Sequence, residues 1–234
     1  MLTEADLAIS RLLAERLRHQ FPDDNLIDEE SGVIQAGGAV TWVLDPIDGT
    51  SNFATGSPLY GTFIGLLEHG VPTAGGVGLP AFGQVFSAAR GEGAFVGSTQ
   101  LAPPATRPLA AALVACNVDG EEARPDYVRR FGRLLGELAL ACRGVRASNS
   151  AFDIGAVLGG AYDAVLFSNG KVWDFVGPLA VLGEAGYRCT RLDGSAFDFS
   201  QALAQPERTY DGLLAAPHLH APLLALVQQH LLAT

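Results

Sequence analysis

The hydrophobic residues of this chain follow two different periods. In residues 4–19 they recur every three or four positions, which predicts an amphipathic helix, and Thr3 followed by Asp6 has the spacing of a capping box. Between residues 25 and 96 the apolar runs are short and separated by glycine and proline, which is typical of strands joined by hairpins. The predicted strands of this meander lie within residues 25–32, 40–44, 62–67, 73–79, 84–89 and 94–96.

The proline-rich segment 103–108 interrupts this pattern and predicts a boundary between two halves. Residues 1–108 form an α+β half, and in residues 109–234 helical and strand patterns alternate, which favours an α/β half. The expected fold class of the whole chain is therefore α/β. In the second half the predicted strands are 112–116, 161–167, 187–190 and 212–215, and the predicted helices are 126–140, 151–158, 173–184 and 218–232.

Composition limits the classes of protein that fit. Of the 234 residues, 48% are hydrophobic and 17% are charged, which is enough apolar material for a large core. The net charge of −10 disfavours nucleic-acid binding through counterion release, although metal ions can still attract an anionic substrate. The three cysteines are far apart and fit reduced packing residues better than a disulfide frame. Because no leader sequence and no run of about 20 apolar residues is visible, we expect a cytoplasmic protein without a membrane span.

Two carboxylates follow the apolar run that predicts the second strand. Asp45 and Asp48 lie three residues apart across a predicted turn that Pro46 stiffens by fixing its φ angle. Gly49 and Thr50 then offer backbone N–H groups and a hydroxyl. Asp-Pro and Asp-Gly are also common turn dipeptides, so either alone would indicate only a turn. Together they favour a metal-assisted phosphate site, because carboxylates bind hard cations and N–H groups bind anions.

Four short segments form a pattern that spans nearly the whole chain. They are Thr3-Glu4-Ala5-Asp6, Glu29-Glu30-Ser31, Asp45-Pro46-Ile47-Asp48-Gly49-Thr50, and Trp173-Asp174 followed by an apolar helix and Glu184-Ala185-Gly186. In this order and spacing they resemble the inositol monophosphatase family of magnesium-dependent phosphomonoesterases. The resemblance implies a layered αβαβα sugar-phosphatase fold, a small phosphorylated substrate and a homodimer.

The resemblance also implies a two-metal site. Glu29, Asp45 and the carbonyl of Ile47 would hold one Mg²⁺, and Asp45 would bridge to a second ion. Asp48 and Asp174 would complete the coordination of that second ion. All of these ligand atoms are hard oxygens, as Mg²⁺ requires. A third Mg²⁺ stays open, because the loop that assists it in some relatives precedes Thr-x-x-Asp in the family pattern.

The same resemblance assigns the reaction to a water molecule that the metal ions activate. Glu29 and Thr50 would orient and deprotonate this water, and Asp6 would hold Thr50. Plainer roles stay open for three residues: Glu29 in a solvated acidic turn, Asp174 in a helix cap, and Asp6 in the cap with Thr3. The residues implied in substrate binding are Asp48, Gly49, Thr50 and Asp174.

The substrate is less defined, because the chain departs from the family pattern around the pocket. Ser148-Asn149-Ser150 stands where Gly-Ser/Thr-Ala is usual, and Phe167 stands where inositol-specific members often have an acidic residue. We expect hydrolysis of an inositol-phosphate-type or related sugar or polyol phosphate. Residues 55–62 are closer to the histidinol-phosphatase branch, which leaves histidinol phosphate as an alternative. A catalytically silent regulatory homologue that binds metal or ligand is the alternative from another class.

Overall fold

Six α-helices and two β-sheets build the part of the chain that the structure describes, residues 2–117 and 122–232 of a computed structural model. Short 3₁₀ turns lie at Pro80–Phe82 and Leu109–Ala111. Within the described residues, no helix combines the length and the apolar character that a membrane crossing requires. The helices are α1 (Glu4–Gln20), α2 (Thr50–Ala54), α3 (Pro125–Ala141), α4 (Ala151–Leu158), α5 (Val172–Glu184) and α6 (Pro217–Val227), which a π-helical turn (Gln228–Leu232) extends.

The first sheet has eight strands and contains the predicted meander. The strands are β1 (Asn25–Asp28), β2 (Gly32–Ile34), β3 (Val40–Asp48), β4 (Gly61–Glu68), β5 (Val71–Leu79), β6 (Gln84–Ala89), β7 (Gly93–Val96) and β8 (Thr99–Gln100). Their order across the sheet is β2-β1-β3-β4-β5-β6-β7-β8. Only the pair of β1 and β3 is parallel, and from β3 to β8 each strand pairs antiparallel with the next one along the chain.

The second sheet has five strands with mixed directions. They are β9 (Leu113–Cys116), β10 (Gly144–Arg146), β11 (Ala164–Gly170), β12 (Arg188–Thr190) and β13 (Tyr210–Ala215), in the order β10-β9-β11-β13-β12. The strand β9 runs parallel to both of its neighbours, whereas β13 runs antiparallel to both of its own. Helices connect the parallel strands, as the alternating pattern of the second half predicts.

The sheets and helices stack in five layers. Helix α1 packs on the outer face of the first sheet, α4 and α5 lie between the sheets, and α3 and α6 cover the second sheet. One hydrophobic cluster runs from Val43 in the first sheet through Val176 in α5 to Leu214 in the second sheet. The predicted αβαβα fold is therefore confirmed, and the two halves of the chain share a continuous core.

Three local differences from the sequence prediction have physical reasons. The segment 51–60, whose composition favours turns, includes most of the short helix α2, whose N-cap Gly49 adopts a left-handed conformation. A short strand that was not predicted, β2, follows the acidic turn after β1 and pairs with β1. The strand predicted from Ala161 begins later, because the N–H groups of Ala161 and Tyr162 both donate to Ala156 at the end of α4.

Cysteine and histidine side chains contribute to packing. Cys116 and Cys142 are buried free thiols and Cys189 is a half-buried one, in line with the predicted reduced packing role. His220 is buried in α6, and its Nε2 lies 2.9 Å from the hydroxyl of Thr190. These residues therefore belong to the core around the second sheet.

Three glycines let α5 lie very close to the first sheet. A Cβ atom on Gly177 in α5 would be 2.5 Å from the carbonyl oxygen of Ile64 in β4. A Cβ on Gly65 would be 2.6 Å from the backbone nitrogen of Gly177, and one on Gly75 would be 2.5 Å from its carbonyl oxygen. Such clashes with backbone cannot be relieved by a change of rotamer. The glycines therefore set the distance between α5 and the sheet, and with it the position of the first turn of α5.

Replacing Gly177 by alanine should destabilise the fold by about 1–3 kcal/mol, because overpacking outweighs the better helix propensity of alanine. Gly183→Ala is the matched control in the same helix, where an added Cβ meets nothing within 4 Å. It should instead stabilise the fold by up to about 1 kcal/mol. Urea unfolding curves measure both free energies. Equal effects of the two substitutions would contradict the close approach of α5.

Candidate metal centre

A β-bulge brings the two carboxylates of β3 to the same side of the strand. In a regular strand, residues three apart point to opposite faces. Here Asp45 lies opposite Phe63 but Asp48 lies opposite Gly61, so β3 has one more residue than β4 in this interval. Pro46, which has no N–H for the ladder, lies inside the bulge. The segment predicted as a turn is therefore an irregular continuation of β3.

The first turn of α5 supplies the third carboxylate. Asp174 is the third residue of this helix, and its Oδ2 accepts the N–H of Lys171 at 2.6 Å as part of a capping box. The ligand atoms of Asp45, Asp48 and Asp174 nevertheless all lie within 4.8 Å of one another. The cap occupies one oxygen of Asp174, so the capping role and a ligand role are compatible.

Glu29 lies beside this cluster, directly after the last residue of β1. Its backbone N–H donates to the carbonyl of Leu44 in β3 at 3.1 Å, which ties the residue to the strand that carries Asp45. The side chain is open to solvent on one side, yet its pKa is raised to about 7. The largest cause is desolvation by the surrounding protein, and the charge of Asp174 acts in the same direction. A hydrogen bond with Asp45 acts in the opposite direction.

The pKa values of Asp45 and Asp48 are both raised well above the usual range. Burial is the largest cause in each case, followed by the charge of Asp48 for Asp45 and by the charge of Asp174 for Asp48. Among the described residues, Oδ1 of Asp45 and Oδ1 of Asp48 are buried without a hydrogen-bond partner. Buried carboxylates of this kind are costly unless a cation neutralises them. A set of ligands made only of oxygen suits a hard cation such as Mg²⁺, so the residues fit the metal that the sequence predicts.

The residues after the bulge lie at the start of α2. The hydroxyl of Thr50 donates to the carbonyl oxygen of Ile47 at 2.9 Å, so this oxygen already accepts one hydrogen bond from the start of α2. Gly49 has a φ of 90°, and a Cβ there would lie 2.6 Å from Cβ of Ser150. Both the conformation and the lack of space require glycine at this position. The close contact places Ser150, and with it the predicted pocket segment, directly beside the carboxylate strand.

Asp6 is completely buried in the first turn of α1, where it forms the predicted capping box with Thr3. Its Oδ2 accepts the N–H of Thr3 at 2.7 Å and also the hydroxyl of Thr3. Its Oδ1 is buried and has no hydrogen-bond partner among the described residues. The expected hydrogen bond from Asp6 to Thr50 is not formed, since Thr50 donates to Ile47. The support of Thr50 by Asp6 therefore stays a prediction.

Two residues that the sequence analysis missed hold the segment 148–150. Asn52 in α2 donates from Nδ2 to the carbonyl of Ser148 at 2.7 Å, across 96 positions of sequence. Asp153 in α4 is fully buried and accepts the N–H of Ser148 at 3.3 Å; burial raises its pKa, and hydrogen bonds from this segment oppose the rise. The Ser150-x-x-Asp153 spacing at a helix start was the available signal for Asp153. No local pattern indicates the contact of Asn52.

Phe167, which stands where inositol-specific members of the family often have an acidic residue, is enclosed by apolar packing. Phe167 is 3% exposed, and its ring centroid lies 5.2 Å from that of Phe175. Near this point, Lys171 forms an ion pair with Glu207, with Nζ and Oε2 2.8 Å apart. Phe167 itself therefore offers an apolar ring and no acceptor, while Asp211, beside its β13 partner Gly212, accepts the N–H of Asn169 at 2.8 Å.

Comparison with known proteins relates this arrangement to a family. The model of the inositol monophosphatase family matches residues 1–232. The chain is 34% identical over 200 residues to a histidinol-phosphatase from Mycobacterium tuberculosis, which covers 83% of this chain and 75% of the relative. It is 34% identical over 230 residues to an inositol-1-monophosphatase from Mycobacterium leprae, which covers 92% and 77%. The solved inositol monophosphatase from Anabaena (Nostoc) sp. PCC 7120 has a TM-score of 0.86 at 28% identity, over 98% of this chain and 88% of that chain.

The chain belongs to the inositol monophosphatase family, a family of phosphoric monoester hydrolases. The resemblance predicted from the four sequence segments is therefore confirmed. The two relatives have names that refer to different substrates, histidinol phosphate and inositol phosphate. Membership consequently defines the class of reaction and leaves the substrate open.

Without metal, the carboxylate cluster should make the fold less stable as the pH rises. Glu29 keeps its proton to a higher pH in the folded state than in the unfolded chain, so stability should fall between about pH 4.5 and 7, and the raised pKa values of Asp45 and Asp48 act in the same direction. Mg²⁺ should reverse this trend, because at about 100 times its dissociation constant a ligand of the folded state adds about 2.7 kcal/mol. Thermal unfolding in EDTA and in Mg²⁺ across this pH range measures the difference. Identical pH profiles in the two conditions would contradict a cation site here.

Proposed function

We propose that this chain hydrolyses a small phosphomonoester in a reaction that depends on Mg²⁺. The observation that carries the proposal is the cluster of Asp45, Asp48 and Asp174, whose ligand atoms lie within 4.8 Å of one another. Two of these carboxylates have buried oxygens without a hydrogen-bond partner. Such a group needs a cation, and in this family the cation serves phosphate chemistry.

Two Mg²⁺ ions would be held as the family pattern implies. Glu29, Asp45 and the carbonyl of Ile47 would bind one ion, and Asp45, Asp48 and Asp174 would bind the other. When bound, the ions supply positive charge to the phosphoryl group and lower the pKa of water. The N–H groups of Gly49 and Thr50, together with Asp48 and Asp174, would position the substrate.

The residues on the Glu29 side would control the attacking water. Thr50 donates its hydroxyl proton to Ile47, so the lone pairs of its oxygen are available to accept a hydrogen bond from water. Glu29 lies open to solvent beside the carboxylate cluster and would accept the proton that the water loses. Both groups are held by backbone of β3, which keeps them in register with the metal ligands.

The substrate we propose is a sugar, polyol or inositol-type phosphate. The half-buried Ser148 can offer its hydroxyl to a hydroxylated substrate, and this hydroxyl lies 3.1 Å from that of the buried Ser150, which packs beside Gly49. Histidinol phosphate is the second candidate, because Phe167 removes an acidic group from the site and a relative with 34% identity is a histidinol-phosphatase. The homodimer expected from the family belongs to the same proposal, and light scattering of the purified protein measures it.

Phosphate release from inositol, histidinol, fructose-bis- and nucleotide phosphates, in Mg²⁺ and in EDTA, tests the proposal. We expect turnover only in Mg²⁺. Loss of a residue that only supports a metal ligand typically lowers activity by about 10–100-fold. Asp48→Asn removes a ligand itself, so it should lower turnover by more than that. Asp198→Asn, an exposed aspartate outside the cluster, is the control and should keep full activity. Turnover in EDTA or a fully active Asp48→Asn would contradict the two-metal site, and no turnover of any phosphate would favour the silent regulatory homologue.

A comparison of Asp6→Ala with Thr3→Ala separates the two roles of Asp6. Both substitutions remove the cap of α1, which should cost about 0.5–2 kcal/mol of stability. Only Asp6→Ala removes the buried carboxylate that is predicted to support Thr50, so it alone should also lower kcat, by about 10-fold or more. Unfolding curves and steady-state kinetics measure the two effects. Equal kcat values in both variants would leave Asp6 with the capping role only.

A further inference from the structure

One buried carboxylate near the metal centre has no role in the proposed reaction. Asp28 is the last residue of β1, is 1% exposed, and immediately precedes Glu29. We propose that Asp28 is a positioning residue, which fixes the turn that carries Glu29 and ties this turn to α1. This inference rests on the metal centre of the proposed function, in which Glu29 is a ligand.

The carboxylate of Asp28 accepts three hydrogen bonds that converge from two directions. Its Oδ2 accepts the hydroxyl of Ser10 in α1 at 2.5 Å and the hydroxyl of Ser31 at 2.7 Å. Its Oδ1 accepts the backbone N–H of Glu30 at 3.1 Å. An ionised carboxylate can accept hydrogen bonds but cannot donate them, and all three partners donate one. One side chain therefore satisfies three donors, two from the turn and one from α1.

These bonds fix the backbone on both sides of Glu29. Glu30 and Ser31, which follow it, are held by Asp28, and the N–H of Glu29 itself donates to Leu44 at 3.1 Å. The turn then closes at Gly32, which pairs with Asp28 and has a φ of 80°. Every residue from 28 to 32 is thus tied to β3, to α1 or to its own turn. A metal ligand on a turn needs this kind of support if its carboxylate is to stay in one orientation.

The position of Asp28 links this turn to an element outside the sheet. The hydroxyl of Ser10 in α1, 18 positions earlier in the chain, donates to the same Oδ2 that accepts the hydroxyl of Ser31 in the turn. A capped strand end would need only the bond to Glu30, so the two hydroxyl bonds are the ones that tie the turn of Glu29 to α1.

Three variants separate the geometry from the charge. Asp28→Asn removes the charge and replaces one acceptor by a donor. The double variant Ser10→Ala with Ser31→Ala keeps the charge and removes two of the three hydrogen bonds. Asp193→Asn is the matched control, since Asp193 accepts the N–H and the hydroxyl of Ser195 in an exposed turn of the second half.

Mg²⁺ binding is measured by calorimetry with the metal alone, on the full chain and without substrate, together with the thermal midpoint in EDTA. We expect about 10–100-fold weaker binding in Asp28→Asn and a loss of about 10-fold in the double serine variant. The control should bind Mg²⁺ as the wild type does. The double serine variant should lose more Mg²⁺ affinity than the control does, even where the two variants unfold at the same thermal midpoint.

If the double serine variant binds Mg²⁺ with wild-type affinity, the positioning role is overturned. Weaker binding by Asp28→Asn would then be explained by the lost charge alone. A lower thermal midpoint with unchanged Mg²⁺ affinity in all variants would overturn it as well. Phosphate release is recorded in parallel. A wild type that binds Mg²⁺ and releases no phosphate counts against the proposed hydrolysis, while weaker binding by the variants still supports the role of Asp28.

Discussion

The structure of this protein depends on holding several negative charges close together. Asp45, Asp48 and Asp174 come from two elements far apart in the chain, and their ligand atoms lie within 4.8 Å of one another. Burial and mutual repulsion raise the pKa values of Asp45 and Asp48, so the metal-free cluster opposes folding. Elements that keep such a cluster assembled before a cation binds must be rigid and must be stabilised elsewhere in the fold.

The rigidity comes from α5, which is tied to the first sheet in its middle and at its end. In the middle of the helix, Gly177 lies directly against the backbone of β4 and β5. At its last residue, Glu184 accepts the N–H groups of Gly91 and Gly93 at 3.0 Å each. This glutamate belongs to the Glu-Ala-Gly segment of the family pattern, and its contacts here are structural. Glu184 and Gly91, which lie on opposite sides of the predicted boundary at residues 103–108, are therefore in direct contact.

The sequence indicated those features whose cause lies within a short stretch of residues. The helix α1 and the meander have one apolar face each, and the chemistry of residues 45–50 is local, so all of these were predictable. The contact of Glu184 with Gly91 spans 93 positions and that of Asn52 with Ser148 spans 96, and no local pattern indicates them. The bulge in β3 was missed for another reason: proline and glycine in that stretch favour a turn, whereas the pairing with β4 decides the conformation.

On the proposed mechanism, reaction and selectivity would be carried by different residues. The metal ligands would act on the phosphate, which every candidate substrate shares, so selection would come from groups that contact the rest of the molecule. At Phe167 the chain offers an aromatic ring that is 3% exposed, and in the segment 148–150 the hydroxyl of the half-buried Ser148 lies 3.1 Å from that of the buried Ser150. Asn52 and Asp153 fix the segment that carries Ser148, so selection through this hydroxyl would depend on these two contacts and not on the carboxylate cluster.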